Sequence, residues 1–131
     1  MKMTAGRKEK KEIEKKKNKK IVGAMNEELA AMYLAKQGIK VIERNYRKKS
    51  GEIDIIAKDG DYLVFCEVKY RNDNDSEMAL YSISAEKQKQ IARIARAYMA
   101  EKHIHPESLC RFDCVLIDGS EIKHMKNAWM L

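Results

Sequence analysis

Residues 51–70 read GEIDIIAKDGDYLVFCEVKY, and this stretch decides the fold. Two runs rich in β-branched and aromatic residues, 52–58 and 62–70, flank Asp59-Gly60. An Asp-Gly pair between two such runs is a strong signal for a tight turn, because these residues tolerate the positive φ that a two-residue loop requires. We therefore predict an antiparallel β-hairpin with Asp59-Gly60 as its loop.

The position of the loop determines which residues share a face of the hairpin. With Asp59-Gly60 as the loop, Asp54 faces Phe65, and even positions of the first strand lie with odd positions of the second. One predicted face carries Glu52, Asp54, Ile56, Leu63, Phe65, Glu67 and Lys69, and the other carries Ile53, Ile55, Ala57, Tyr62, Val64, Cys66 and Val68. Asp54 is then diagonal to Glu67, with Cα atoms roughly 7–8 Å apart.

Two carboxylates at this spacing can share one divalent cation, whereas without a cation they repel each other. A set of ligands made only of oxygen favours Mg²⁺ or Mn²⁺ over zinc. The alternative is an amphipathic hairpin with a charged, solvated end, in which Lys69 only neutralises Glu67. The residue pattern alone leaves both interpretations open.

Outside the hairpin, the pattern predicts an α/β domain in the order αβββαβ, with one further strand at the C-terminus. Helices are predicted for 21–37 and 84–102, a basic turn for 46–51, a mobile loop for 71–77, and strands for 39–45 and 111–118. Residues 121–129 form either a short terminal strand or an extension. The strand that follows the second helix is expected to pair in parallel, which gives a mixed sheet with helices packed on it.

Each predicted helix has an apolar stripe that we expect to be buried. In the first helix the stripe is Met25, Leu29 and Met32, with Asn26 as a candidate N-cap and Gly38 as the stop signal. In the second helix the stripe is Ile91, Ile94, Ala95, Tyr98 and Met99.

The positive charge is confined to the start of the chain. Residues 1–20 contain ten Lys or Arg and three Glu, and the remaining residues contain seventeen of each sign, so the net charge of +7 belongs to this segment. We predict a flexible basic tail over 1–20 and one folded domain over 21–131. The tail either binds polyanions, since lysines release counterions from phosphate backbones, or is only a solvated extension.

Composition favours a cytoplasmic protein without a membrane segment. No stretch approaches the ~20 apolar residues of a membrane span, and residues 1–20 lack the apolar core of a secretory signal. The three cysteines, Cys66, Cys110 and Cys114, are an odd number without metal-ligand spacing. We therefore predict neither a disulfide framework nor a zinc site.

Other charged residues divide into candidate phosphate contacts and structural groups. Arg44, Arg47, Lys48 and Lys49 precede the acidic hairpin and either contact phosphates or form a solvated turn. Arg111 and Asp113 are predicted to form a structural ion pair. The three histidines, His103, His105 and His124, lack ligand spacing, and we predict surface positions for them.

From Gly23 to Trp129 the chain resembles the YraN-type family of small bacterial proteins. The segments that carry the resemblance are Gly23-Ala-Met-Asn-Glu27-Glu-Leu-Ala, Asn45-Tyr-Arg47, Gly51-Glu-Ile-Asp54-Ile-Ile-Ala57, Val64-Phe-Cys-Glu67-Val-Lys69-Tyr-Arg71, Lys87, Arg111-Phe-Asp113-Cys-Val115 and Asn127-Ala-Trp129. That family is similar to the PD-(D/E)xK nucleases, which include the archaeal Holliday-junction resolvases.

The resemblance implies a restriction-endonuclease-like core, a mixed β-sheet flanked by helices. By position, Asp54 corresponds to the metal-binding Asp, Glu67-Val68-Lys69 to the (D/E)xK motif, and Glu27 to an acid from the first helix. Lys87 corresponds to a basic residue on the following helix and is a further candidate phosphate contact. Three positions depart from the usual patterns: Ile53 replaces Pro, Asn26 replaces Gly, and Tyr70 replaces Thr.

Together, pattern and resemblance predict a metal-dependent nuclease that hydrolyses phosphodiesters of nucleic acid. DNA is the expected partner, with branched or damaged DNA as a candidate substrate, and a homodimer is an option. Asp54, Glu67 and the Val68 carbonyl are the predicted Mg²⁺ or Mn²⁺ ligands, and Lys69 is predicted to orient the attacking water or to stabilise charge on the phosphate. Glu27 and Glu52 are additional candidate acids. Two alternatives remain: a nucleic-acid-binding module without cleavage, and an interaction protein whose acids are structural.

Overall fold

The computed structural model describes residues 5–71 and 82–129 as a five-stranded mixed sheet with one helix on each face. Its elements are α1 Ala5–Lys36, β1 Lys40–Lys48, β2 Gly51–Asp59, β3 Tyr62–Tyr70, α2 Ala85–Glu101, β4 Cys110–Asp118 and β5 Glu121–Met125. The strands lie in chain order across the sheet; β3 and β4 are parallel and the other neighbours antiparallel. The predicted α/β order is confirmed, and the fold is consistent with a restriction-endonuclease-like core. Most of the predicted loop 71–77 lies outside the described residues.

The central hairpin forms as predicted, but its loop lies one residue later. Pairing runs from Asp59↔Tyr62 to Ile55↔Cys66, so the loop is Gly60-Asp61. Gly60 has φ of 58°, which glycine adopts at little cost at the first position of a two-residue turn. Moving the loop by one residue shifts the register by two, which preserves the predicted faces at these paired positions.

The sheet separates two hydrophobic cores. The core against α2 contains Ile56, Leu63 and Phe65 with the predicted stripe of α2, which is confirmed as buried. The core against α1 contains Ile55, Ala57, Val64 and Cys66 with Ala30 and Leu34. The predicted alternation is therefore confirmed for these strand residues.

The alternation fails at one point, between Ile53 and Ile56. Ile53 packs in the α2-side core together with Ile56, although the sequence predicted it on the face of Ile55. Opposite this point, Asn45 has φ of 52° and lies between the pairs Arg44↔Ile55 and Tyr46↔Ile53. The positive φ of Asn45 thus lies across from Asp54, the central carboxylate of the site described below.

The first helix differs from the prediction in its start and in its buried face. It begins at Ala5, so residues 5–20 are helical and Asn26 lies inside the helix instead of capping it. The predicted buried stripe is wrong: Met25, Leu29 and Met32 are 61%, 43% and 51% exposed. Glu27, Ala30 and Leu34 share a face by their spacing. Because that face turns to the sheet, the methionines and Leu29 lie on the outside.

The basic turn predicted for 46–51 is also shorter in the structure. Strand β1 continues to Lys48 and β2 starts at Gly51, which leaves Lys49 and Ser50 as the turn. Tyr46 is buried and packs edge-on against Tyr98 of α2, with ring centroids 5.1 Å apart. Burial of this aromatic ring extends the strand beyond the boundary that the run of basic residues suggested.

Candidate metal centre

The centre of the candidate site is the Asp54 carboxylate, located where pairing between β2 and β3 ends. The last pair is Ile55↔Cys66, and Asp54 and Glu67 are the next residues on the two strands. The Val68 N–H donates to Asp54 Oδ2 at 2.8 Å. Asp54 is 8% exposed, so this main-chain donor supplies a hydrogen bond that water supplies to most carboxylates.

Two further acids approach Asp54. Glu27 from α1 and Glu52 from β2 each present an oxygen, and the three oxygens lie within 4.8 Å of one another. Two oxygens on one ion are at most about 4–5 Å apart, since hard divalent ions bind oxygen at about 2.0–2.6 Å. The three carboxylates can therefore ligate one cation. Glu67 lies beside this group rather than within it.

Burial of Asp54 has a clear electrostatic consequence. Burial, together with the neighbouring charges of Glu67, Glu27 and Glu52, raises the pKa of Asp54 to about 7, even though the hydrogen bond from the Val68 N–H acts in the opposite direction. The ionised form is thus unfavourable in this position unless a positive charge compensates it. A carboxylate with such a shift is typical of functional sites.

We expect the metal-free protein to lose stability as pH rises through this range. The pKa of Asp54 is about 7 in the folded state and near 3.8 in the unfolded chain, so the folded protein binds more protons between these values. The free energy of unfolding should therefore fall from pH 4 towards pH 7 and level off above it. Urea unfolding in EDTA at pH 5 and pH 8 measures the effect. Asp54→Asn keeps an acceptor for Val68 and should weaken the dependence; parallel pH curves for both proteins would contradict this expectation.

Glu67 faces the cationic side of the site. Burial raises the pKa of Glu67, while Lys87 and Lys69 oppose the shift. Lys87 Nζ is 3.8 Å from Glu67 Oε1. Lys69 Nζ donates to the Ser82 carbonyl at 2.6 Å, which anchors this ammonium to the segment that leads into α2. Negative and positive groups thus lie side by side at one end of β2 and β3.

Most of the predicted phosphate contacts are engaged with carboxylates. The pairs are Arg44 with Glu28, Arg47 with Glu52 at 2.9 Å, Lys48 with Glu101 at 3.2 Å, and Lys87 with Glu67. Lys49 is exposed in the β1–β2 turn. The Arg47 pair involves one of the three clustered acids, so this guanidinium offsets part of the negative charge at the site.

A second buried charge network lies on the α1 side of the sheet. The predicted pair of Arg111 and Asp113 is confirmed, with N···O distances of 2.8 and 3.0 Å, and Asp113 is fully buried. His124 Nε2 is 2.8 Å from Asp113 Oδ2, and the Asn127 N–H donates to Oδ1 at 2.9 Å. Burial alone would raise the pKa of Asp113, but His124, Arg111 and Asn127 hold it below its usual value.

The surface position predicted for His124 is therefore wrong, while the other two histidines are exposed as predicted. The His124 side chain is 4% exposed and meets the Tyr33 ring edge-on at 5.8 Å. The signal that sequence reasoning missed is the turn Gly119-Ser120. It sets the pair Val115↔His124, which places the imidazole on the face that carries Asp113.

A protein-family model matches most of the chain. The model described as "Uncharacterised protein family UPF0102" matches residues 26–117. The chain belongs to the UPF0102 family. The resemblance to the YraN type is thereby confirmed, and the matched range of the UPF0102 model includes Glu27, Glu52, Asp54, Glu67 and Lys69.

Relatives in the UPF0102 family come from diverse bacteria. The protein of Herminiimonas arsenicoxydans is 44% identical over 110 residues, which is 84% of this chain and 87% of the relative. The protein of Lachnoclostridium phytofermentans is 41% identical over 112 residues, 86% and 95% of the two chains. The protein of Dictyoglomus turgidum is 42% identical over 100 residues, which is 76% of this chain and 84% of the relative.

Among the described residues, no helix is long and apolar enough to cross a bilayer.

Proposed function

We propose that this protein is a metal-dependent nuclease that hydrolyses phosphodiester bonds of nucleic acid. The observation that carries the proposal is the convergence of Glu27, Glu52 and Asp54 oxygens within 4.8 Å, beside a glutamate flanked by two lysines. Phosphodiester hydrolysis requires a cation to neutralise phosphate charge and a donor to stabilise charge in the transition state. The clustered acids supply a place for the cation, and Lys69 supplies the donor.

The donor set fits a hard divalent ion. All three side chains offer carboxylate oxygen, which suits Mg²⁺ or Mn²⁺ better than zinc. The raised pKa of Asp54 reflects a cost of burying its charge that such an ion would remove. Asp54, Glu27 and Glu52 would hold the ion, with Glu67 and the Val68 carbonyl as the further predicted ligands. When bound, the ion polarises a phosphate oxygen and lowers the pKa of a coordinated water.

The remaining groups of the site act on the substrate. Lys69 carries donors only, so in its protonated form it contributes hydrogen bonds and positive charge to the water or the phosphate and does not ligate the ion. Its hydrogen bond to the Ser82 carbonyl fixes the direction of the ammonium. Lys87 also lies close to Glu67, and its charge lowers the pKa of that carboxylate against the raising effect of burial.

Calorimetric titration with Mn²⁺ tests the metal site. We expect wild type and Glu107→Gln to bind alike, because Glu107 is exposed and outside the site. Asp54→Asn should lose binding, and Glu27→Gln should weaken it, because each removes an anionic ligand from the oxygen cluster. Equal binding by all four proteins would show that the acids are structural.

Cleavage then distinguishes the nuclease from a binding module. A panel of linear and branched DNA and RNA is incubated with Mg²⁺ or Mn²⁺, and Asp54→Asn serves as the inactive control. Metal-dependent cleavage of any member that Asp54→Asn does not cleave supports the proposal. Binding without cleavage across the whole panel would favour the nucleic-acid-binding module instead.

A further inference from the structure

A row of three exposed cations lies on the outer face of α2. Lys89, Arg93 and Arg96 are separated by four and three residues, so they project from one side of the helix. The rise of about 1.5 Å per residue makes the row ~10 Å long. The opposite side of the helix is buried in the core, which fixes the direction in which the row points.

Lys89, Arg93 and Arg96 have no ion pair with a carboxylate among the described residues. Arg44, Arg47, Lys48 and Lys87 are each paired with a glutamate. Like charges three or four residues apart on a helix repel each other and destabilise the helix. An external polyanion would remove that repulsion.

The row begins at the candidate site. Lys89 follows Lys87, whose Nζ is 3.8 Å from Glu67 Oε1. The Gln90 side chain donates to the Ser50 carbonyl, which ties this turn of α2 to the β1–β2 turn. An open cleft of about 470 Å³ lies here, and it is lined by Ser84, Glu86, Lys87, Lys89, Gln90 and Arg93. The cleft therefore joins Lys87, which contacts Glu67, to the first two cations of the row.

We propose that Lys89, Arg93 and Arg96 form a track for the sugar-phosphate backbone of a nucleic-acid duplex, leading into the acid cluster. A ~10 Å row spans about three successive phosphates of one strand, at about 3.4 Å per phosphate along the axis. Long basic side chains that contact phosphates position a strand without reading its sequence. This proposal rests on the proposed nuclease function and adds two points to it: the substrate is a duplex, and the duplex approaches the acid cluster along α2.

The test compares two triple variants with the same change in charge. Lys89→Gln/Arg93→Gln/Arg96→Gln removes the row. Lys36→Gln/Lys40→Gln/Lys58→Gln removes three exposed lysines from the opposite end of β1 and β2, where Lys40 pairs with Lys58. Binding to a 20-base-pair duplex is measured from 50 to 200 mM salt in EDTA. Thermal melts followed by circular dichroism verify that both variants are folded. We expect both to fold, because all six substituted side chains are exposed.

We expect the row variant to reduce the salt slope of log K by about 2–3, since each phosphate contact contributes about 0.9. The control variant should change the slope by less than about 1. The track would be overturned if both variants changed the salt slope equally, or if the row variant bound duplex as tightly as the wild-type protein does. Failure of the wild-type protein to bind duplex at 50 mM salt would overturn it as well. Preference of the row for anionic lipid vesicles over duplex would also overturn it. Because binding is measured without metal, loss of cleavage alone would refute the proposed nuclease and leave the track intact.

Discussion

Replacing Lys69 with Met is expected to slow phosphodiester cleavage by about 10²–10³-fold while Mn²⁺ binding changes little. The ammonium is a donor and cannot act as a metal ligand while protonated, so its removal should leave the carboxylate cluster intact. Its interactions strengthen as charge develops on the phosphate, and the loss should therefore appear in kcat more than in KM. Single-turnover cleavage and calorimetry with Mn²⁺ measure the two quantities.

A matched control for this variant is Lys58→Met, which removes an exposed lysine at the far end of β2. It should cleave at the wild-type rate. Lys69 also donates to the Ser82 carbonyl, so a thermal melt must show that Lys69→Met keeps the segment before α2 in place. If the folded Lys69→Met protein cleaves as fast as wild type, Lys69 is only a structural partner of Ser82 and Glu67.

Replacing Asp113 with Ala is expected to lower the free energy of unfolding by about 3–5 kcal/mol. Asp113 is fully buried and accepts hydrogen bonds from Arg111, His124 and the Asn127 N–H. Without it, the Arg111 guanidinium keeps its ion pair with Asp59 but loses both hydrogen bonds to Asp113 in a mostly buried position. Urea-induced unfolding at pH 7 measures the difference.

Asp59 provides the control, because it binds the same guanidinium from the surface. Its carboxylate is 2.9 Å from Arg111 and 3.6 Å from Lys126, and its side chain is 28% exposed. Asp59→Ala should therefore cost far less than Asp113→Ala, because the Asp59 side chain is more exposed than that of Asp113. Asp113→Asn, which keeps neutral acceptors, should fall between the two. Equal losses for Asp59→Ala and Asp113→Ala would show that burial of Asp113 contributes nothing.

The sequence was most informative about the central hairpin. Strand β3 has the predicted bounds, and the faces of Ile56 and Phe65 are as expected. The loop was misplaced by one residue because Gly60 can be either the second or the first residue of a two-residue turn. Both choices keep the same residues on the same face, so hydrophobic alternation cannot distinguish them.

The rotation of α1 could not be predicted from its own pattern. Met25, Leu29 and Met32 have the spacing of a buried stripe, yet the helix turns Ala30 and Leu34 to the sheet. Helical periodicity identifies an apolar face but does not show which of two such faces meets the rest of the protein. The long-range position of Glu27 next to Asp54 resolves this, and no local pattern contains it.

The candidate site was likewise predictable only in part. Asp54, Glu67 and Lys69 follow from the hairpin, because a turn of known type brings positions on its two strands together. Glu27 lies 27 residues before Asp54 and came from the resemblance alone. Glu52 was predicted as an additional acid, and its closeness to Glu27 depends on how α1 packs on the sheet.

The hydrogen bond from the Val68 N–H to Asp54 places a main-chain amide against the central carboxylate. In a regular ladder this amide would donate to the carbonyl of a neighbouring strand, and its proton would be insensitive to side-chain charge. Here its acceptor is an ionisable group 2.8 Å away, so the proton resonance of Val68 and its exchange with solvent follow the charge on Asp54. The protein thus contains a spectroscopic reporter of its own site, built into the backbone and present without any label.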